Sequence, residues 1–392
     1  MDNIIWSIGH QLKIKDIVKA KNCHLFDSKG NKYIDFESGV WCTSVGHCNP
    51  VINNVIKAQI DKISHSGFCY ANPNLEKAAQ KILEITGLKG GKCEFICSGS
   101  EAVEYGMRVA KTLVERPMTL TFADSFFGSY GEATKREGSN WHIHNWLKCS
   151  CHSDTGCIGE CEEFRSIPFE KIGIFLFEPG SSSGLVRFPS QQLIKKIEKQ
   201  LKANGGLIHV NEITTGIGRT GKWFGFQHYD IQPEIVAIGK GVGNGYPVSI
   251  TAISEVVAKR LAKIDYLYSQ SHQNDPLGAT VAEAVIDTIV EQNLLERATE
   301  LGAKIKSQLN ELKQKHKIIK AIRGRGLMLA IELTQQAELV HQKLLKNGFI
   351  LVKRSGVEVL RIDPALTIEE ADIKKFLTIF EQIIIQIEKY RK

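Results

Sequence analysis

The chain has 392 residues, more than one domain ordinarily holds, and its 43% hydrophobic and 24% charged content is that of a folded globular protein; a disordered tail or small disulfide scaffold is excluded. The net charge of +7 is spread along the sequence with no basic block, so nucleic acid is not an expected partner. No apolar run reaches the roughly 20 residues that span a bilayer, so no membrane partner is expected. The N-terminal MDNIIWSIGHQLKIKDIV lacks a signal-peptide pattern, which makes the cytoplasm the expected compartment. There the ten cysteines read as reduced thiols or metal ligands before disulfides.

In chain order, FDSKGNKYIDF predicts two short strands around a glycine turn, and Pro50 opens a helix. Buried strands are expected at 94–97 (EFIC), 120–123 (LTFA), 172–177 (IGIFLF), 206–210 (GLIHV), 234–239 (EIVAIG) and 248–254 (VSITAIS). Helical periodicity fills 100–116 and 190–206, the second ending at paired glycines. Strands alternating with helices predict an α/β fold with a mostly parallel sheet covered on both faces, and ligands bound beyond the strands' carboxyl ends. After about residue 290 come a long helix, short strands near 327–333 and 357–362, and a closing helix from 368 to 390. The expected division is a large central domain, 55–290, and a smaller one formed by 1–54 and 291–392.

Four segments carry candidate chemistry. Lys240 ends an apolar strand inside the glycine-rich GKGVGNGYP. A lysine desolvated there can lose its proton and attack an aldehyde, and pyridoxal phosphate is the obvious one, although most lone lysines are solvated surface charges. SGSEAVE (98–104) opens a helix after a strand and suits a phosphate, or is simply an N-cap with an acidic first turn. DSFFG (124–128) can bring an aromatic ring over a heterocycle, or supply core. GIGRTG (216–221) is a literal dinucleotide fingerprint, but no helical pattern follows it and Pro233 interrupts the unit, so a nicotinamide oxidoreductase is set aside.

Taken with GHCNP, FEP, NEITTGIGRTG, SHQNDPLG, IRGRGLMLAIEL and VLRIDPALTI, in that family's order and over nearly the whole chain, these segments resemble the class III aminotransferases of the fold type I pyridoxal-phosphate enzymes. That group includes the ornithine, acetylornithine and gamma-aminobutyrate aminotransferases. The resemblance implies the cofactor as a Schiff base on Lys240. Its phosphate is implied on Gly99 and Ser100, and across a homodimer interface on Ser271. Its ring is implied between Phe126 and Ile213, with Glu178, Asn211 and Thr214 also around it. Arg361 falls at the arginine that holds a substrate α-carboxylate with a bidentate fork. The implied reaction is transamination of an amino acid or ω-amine to a keto acid or aldehyde, with Lys240 moving the proton; racemisation or epimerisation on the same cofactor is the alternative.

Three departures stand out. Asn211 replaces the family's acid that pairs with the ring nitrogen, which weakens the electron sink, and Glu212 cannot substitute because neighbouring strand residues face opposite ways. Thr214 replaces a glutamine, and Ser183 stands where relatives that use glutamate carry a glutamate over the arginine, which puts a dual-substrate switch in doubt. In WHIHNWLKCSCHSDTGCIGEC, Cys149, Cys151, Cys157 and Cys161 crowd one loop with His142, His144 and His152 nearby. Four thiols can fill a zinc shell, yet the spacing is not the paired CxxC of well-attested sites, so free thiols stand level with metal, disulfides come last and no metal ligand is assigned. Trp41 and Phe127 are pocket candidates or core.

Overall fold

The computed structural model describes residues 3–6, 12–151, 156–183 and 185–389. It begins with an antiparallel meander, β1 (Ile17–Lys21), β2 (His24–Asp27) and β3 (Lys32–Asp35). Asp27 sets the β2–β3 turn, its Oδ1 accepting from the amides of Lys29 (3.0 Å) and Asn31 (2.8 Å).

The centre is a seven-stranded sheet. Its members are β4 (Lys92–Ile96), β5 (Met118–Phe122), β6 (Trp141–His144), β7 (Ile172–Phe177), β8 (Leu207–Asn211), β9 (Ile235–Ile238) and β10 (Ser249–Ile253), ordered β4-β10-β9-β8-β7-β5-β6. Every residue of β7, β8, β9 and β10 is buried, as in strands covered on both faces. The helix Gly99–Leu113 packs over β8, β9 and β10. The helix Gln191–Ala203 buries Leu193, Ile194, Ile197 and Leu201 in a separate apolar cluster. The expected mostly parallel, helix-covered sheet is what forms.

One strand breaks the parallel rule: β10 runs antiparallel to both neighbours, β4 and β9. Only the short glycine-rich loop separates β9 from β10, and a parallel return needs a crossover of roughly a dozen residues or more. Several elements escaped the sequence reading, among them β1 and the helices Pro73–Thr86, Glu255–Leu261 and Ala337–Lys346, and two more show why. The helix Pro276–Glu291 buries residues almost all round, so it shows no amphipathic stripe, and β6 is a four-residue edge strand.

The C-terminal part adds β11 (Ile319–Arg325), β12 (Met328–Leu333), β13 (Phe349–Ile350), β14 (Val352–Lys353) and β15 (Val359–Ile362). Four of these form a sheet ordered β11-β12-β15-β14, while β13 pairs in parallel with β3. The helix Leu294–Lys315 lies so close to the β11–β12 turn that a Cβ on Gly302 would stand 2.1 Å from the Gly326 carbonyl oxygen.

Candidate active site

Five of the expected segments leave the carboxyl ends of parallel strands, so the sheet delivers them to one edge. β4 leads into Ser98 and Gly99, β5 into DSFFG, β7 into Glu178 and β9 into Lys240, while β8 ends at Asn211.

The helix Gly99–Leu113 starts in a capping box. Ser98 Oγ accepts from the Glu101 amide at 3.3 Å, and Glu101 Oε2 accepts from the Ser98 amide at 2.7 Å. The amides of Gly99 and Ser100 therefore have no intrahelical acceptor and sit at the positive end of the helix. Gly99 is seated against Ile213, for a Cβ there would lie 2.9 Å from Ile213 Cγ2; Gly239 meets the same side chain at 2.9 Å from Cδ1. Ser100 Oγ accepts from the Ser129 amide at 3.0 Å, which holds the DSFFG loop beside the helix start.

The two phenylalanines of that loop separate cleanly: Phe127 is buried in the core and Phe126 leaves its ring half-exposed. The Phe126 backbone is clamped at both ends. Its amide donates to Glu178 Oε2 at 2.8 Å, and its carbonyl accepts from Asn211 Nδ2 at 2.9 Å. Asn211 Oδ1 in turn accepts from the Ile213 amide at 3.1 Å, so two backbone groups fix which way the carboxamide faces. Glu178 also accepts from Ser182 Oγ at 2.7 Å; burial lifts its carboxyl to about 7. Its oxygens thus tie together two loops. Glu212 turns away from this face, accepting from Thr215 Oγ1 (2.6 Å) and the amides of Gly225 (2.8 Å) and Phe226 (2.7 Å). Among the described residues, the buried Thr214 hydroxyl has no partner.

Lys240 opens a single turn after β9 with φ at 47°, in the left-handed region. Burial lowers its ammonium below the ordinary lysine value, against the opposing charges of Cys42 and Glu178. Its Nζ lies 5.3 Å from the Trp41 ring centroid, and Arg361 Cζ stands 3.7 Å from the same ring. Arg361 is buried; its Nε donates to Asp363 Oδ2 at 3.0 Å, and its Nη1 reaches the Ser182 carbonyl at 3.4 Å. The contacts run Gly99, Ile213, Gly239–Lys240, Trp41, Arg361, Ser182, Glu178, Phe126, Asn211 and back to Ile213. They close a ring.

Trp41 reaches its place through an uncommon backbone. Ser38, Gly39, Val40 and Trp41 all have positive φ (44°, 57°, 60° and 65°), a left-handed turn that a β-branched residue such as Val40 rarely enters. Ser38 anchors it, donating from Oγ to the Asp363 carbonyl at 2.7 Å and accepting from Arg219 Nη2 at 3.1 Å. Arg219 belongs to GIGRTG and is buried, donating also to the Leu327 carbonyl at 3.2 Å and to the Pro364 carbonyl. Only a four-residue 3-10 turn, Gly225–His228, follows those glycines.

Ser271 stands outside the ring, exposed, on a segment that Asn274 docks beside β4 through the Phe95 backbone. Ser183 is half-buried, its hydroxyl without a partner among the described residues. Asp363 and Ser182 were missed from sequence. The signal for Asp363 was present, since Arg361 and Asp363 are two apart at the end of a strand and share a face. Nothing local marks Ser182. Cys149, Cys157 and Cys161 are buried together with His144, while His152 lies outside the described residues.

Comparison with known proteins places this arrangement. The family model described as Aminotransferase class-III matches residues 7–384. The leucine/methionine racemase of Thermococcus litoralis is 28% identical, covering 95% of this chain and 91% of that protein. The acetylornithine aminotransferase of Caldanaerobacter subterraneus is also 28% identical, covering 95% of each chain. Among solved structures, acetylornithine aminotransferase from Elizabethkingia anophelis superposes with a TM-score of 0.82 at 26% identity, covering 96% of this chain and 95% of that one. An S-selective transaminase from Arthrobacter shares the fold at a TM-score of 0.87 and 24% identity, over 96% and 94%. The chain belongs to the class III aminotransferases, pyridoxal-phosphate-dependent enzymes that carry out transamination.

Proposed function

We propose that the ring of contacts around Ile213 is the transamination site, with Lys240 as its nucleophile and proton carrier. The observation that carries the reading is Trp41, one ring flanked by the Lys240 amine at 5.3 Å and the Arg361 guanidinium at 3.7 Å. A desolvated amine and a carboxylate fork set about one indole can address the two ends of one α-amino acid.

Pyridoxal phosphate fits the residues present. The amides of Gly99 and Ser100 offer a phosphate the positive end of a helix. Side chains at Gly99 or Gly239 would collide with Ile213 and close the cradle, the Phe126 ring is half-exposed, and the buried Thr214 hydroxyl needs a partner. When bound, the cofactor supplies an electron-withdrawing ring that lets the hydrogen next to an amine leave as a proton. Lys240, kept below its ordinary pKa by burial, takes that proton and returns it. Arg361, held by Asp363, orients a substrate carboxylate. Ser271 would reach the phosphate from a second copy of the chain. A homodimer is also supported by the exposed Phe68, Tyr70, Ile264 and Leu267, which a partner would cover. We take 55–290 as the large domain and 1–54 with 291–392 as the small one, a division that the β3–β13 pairing supports. The compartment is the reducing cytoplasm, in keeping with ten unbridged cysteines.

Asn211 favours a second reading. Its neutral amide, committed to the Phe126 carbonyl and the Ile213 amide, gives the ring nitrogen no ionised partner. That slows a reaction needing deep charge delocalisation and favours racemisation or epimerisation. The test is the visible spectrum of the purified protein before and after a panel of amino acids, beside Lys240→Ala, with chiral analysis of products. Transamination converts the bound cofactor and releases a keto acid or aldehyde. Inversion of the amino acid without any carbonyl product selects the second reading, and failure to bind the cofactor defeats both.

A further inference from the structure

The loop between β6 and the short helix Glu162–Arg165 brings four thiols together. Cys151 and Cys157 have their sulfurs 3.6 Å apart, and Cys157 and Cys161 theirs 3.9 Å apart. Cys149 Sγ lies within 4.8 Å of the sulfurs of both Cys157 and Cys161. Four Zn–S bonds of about 2.3 Å in a tetrahedron put neighbouring sulfurs roughly 3.8 Å apart. The observed separations bracket that edge. They are nearly twice the ~2.05 Å of a disulfide, so no bridge joins these thiols.

The backbone is arranged for sulfur anions. In CIGEC, Gly159 takes φ at 70°, turning the peptide so that its amide donates to Cys157 Sγ at 3.4 Å. An amide aimed at a sulfur suits a thiolate bound to a cation, for a neutral thiol is a weak acceptor. His144 Nε2, 3.5 Å from Cys149 Sγ, can donate to a second. Cys149, Cys157 and Cys161 are buried, as a closed structural site demands, and Cys151 is half-buried.

We propose that Cys149, Cys151, Cys157 and Cys161 bind one zinc ion as a closed tetrahedral site, each thiol losing its proton to solvent on binding. With all four positions taken by cysteine, no coordination site is left for substrate, so the ion is structural. It would pin a loop with two further attachments. Trp146 Nε1 donates to Asp124 Oδ1 at 3.1 Å, at the head of the segment carrying Phe126. Ser190, which caps the helix Gln191–Ala203, donates from Oγ to the Cys157 carbonyl. The metal would thereby position the DSFFG loop at a distance.

The test uses the full-length holoenzyme purified without chelator. Elemental analysis is expected to give about one zinc per chain, and X-ray absorption at the zinc edge four sulfur neighbours at about 2.3 Å. Alkylation of the native protein followed by mass spectrometry is expected to leave these four cysteines unmodified until a chelator and mild denaturant are added. Cys161→Ser is expected to lose the zinc, and the parent measurements stand whether or not that variant folds. Zinc below about a tenth of an equivalent, iron in its place, nitrogen or oxygen neighbours dominating the absorption fit, or a disulfide between any of the four overturns the proposal.

Discussion

Replacing Asn211 with aspartate tests how the site handles its ring nitrogen. In the parent, Nδ2 donates to the Phe126 carbonyl at 2.9 Å, while Oδ1 accepts from the Ile213 amide at 3.1 Å. A carboxylate keeps the second bond and turns the first into oxygen facing oxygen in a nearly solvent-free place. Losing that donor costs about 1–3 kcal/mol in the cofactor-free protein. At roughly 1 °C per kcal/mol for a chain of this length, the unfolding midpoint falls by a few degrees. The new carboxyl has its pKa raised by burial, so this cost is absent below about pH 4 and develops as pH rises through the folded-state value. A protonated ring nitrogen offsets it, so the loss is expected to shrink once pyridoxal phosphate is bound. Each unit gained in the nitrogen's pKa is worth about 1.4 kcal/mol, and the amino-donor half-reaction is expected to quicken roughly tenfold per unit. Thermal unfolding of both forms across pH, with stopped-flow half-reactions, makes the comparison. Equal melting with and without cofactor, together with an unchanged rate, would refute the argument from the carboxamide.

Asp363→Asn removes the charge partner of Arg361; KM for a donor bearing an α-carboxylate is expected to rise at least tenfold, while KM for an amine without one holds. Gly302→Ala sets a methyl against the Gly326 carbonyl, with backbone on both sides unable to yield, and is expected to cost about 1–3 kcal/mol in denaturant unfolding. Burial lifts the Glu212 carboxyl to about 7, so its contribution to stability is full below about pH 4.5 and is lost as pH rises through about 7. Stability curves should therefore show Glu212→Gln weakest against the parent at pH 5, recovering on the order of 3 kcal/mol by pH 8. A constant gap would contradict that assignment.

The strands whose runs are wholly apolar could be read directly, because burial on both faces leaves no other pattern, as IGIFLF shows. Alternation along β8 also separated Asn211 from Glu212, and Glu212 indeed bonds to the Gly225 and Phe226 amides on the far side. The helix Pro276–Glu291 was illegible for the opposite reason, since a helix buried all round has no face to announce it. The meeting of Trp41 with Arg361 joins opposite ends of the chain, and no local rule connects them. The thiols present the converse case. Their spacing matched no familiar metal pattern, whereas their separations in space do match a tetrahedral edge.

The left-handed turn at Ser38–Trp41 sets a limit on how this protein can be made sturdier. Three of its residues other than glycine sit where an L-residue loses roughly 1–2 kcal/mol each, a sum comparable to a large part of a domain's net stability. Val40 is half-exposed, so exchanging it for glycine would look to any stabilisation screen like a free improvement. Yet the same stiffness holds one indole against the Lys240 amine and the Arg361 guanidinium, and a slackened turn would let both drift at once. Melting temperature and turnover should therefore move in opposite directions at this position, which makes it a poor place to seek thermal robustness and a good one to measure what rigidity contributes to catalysis.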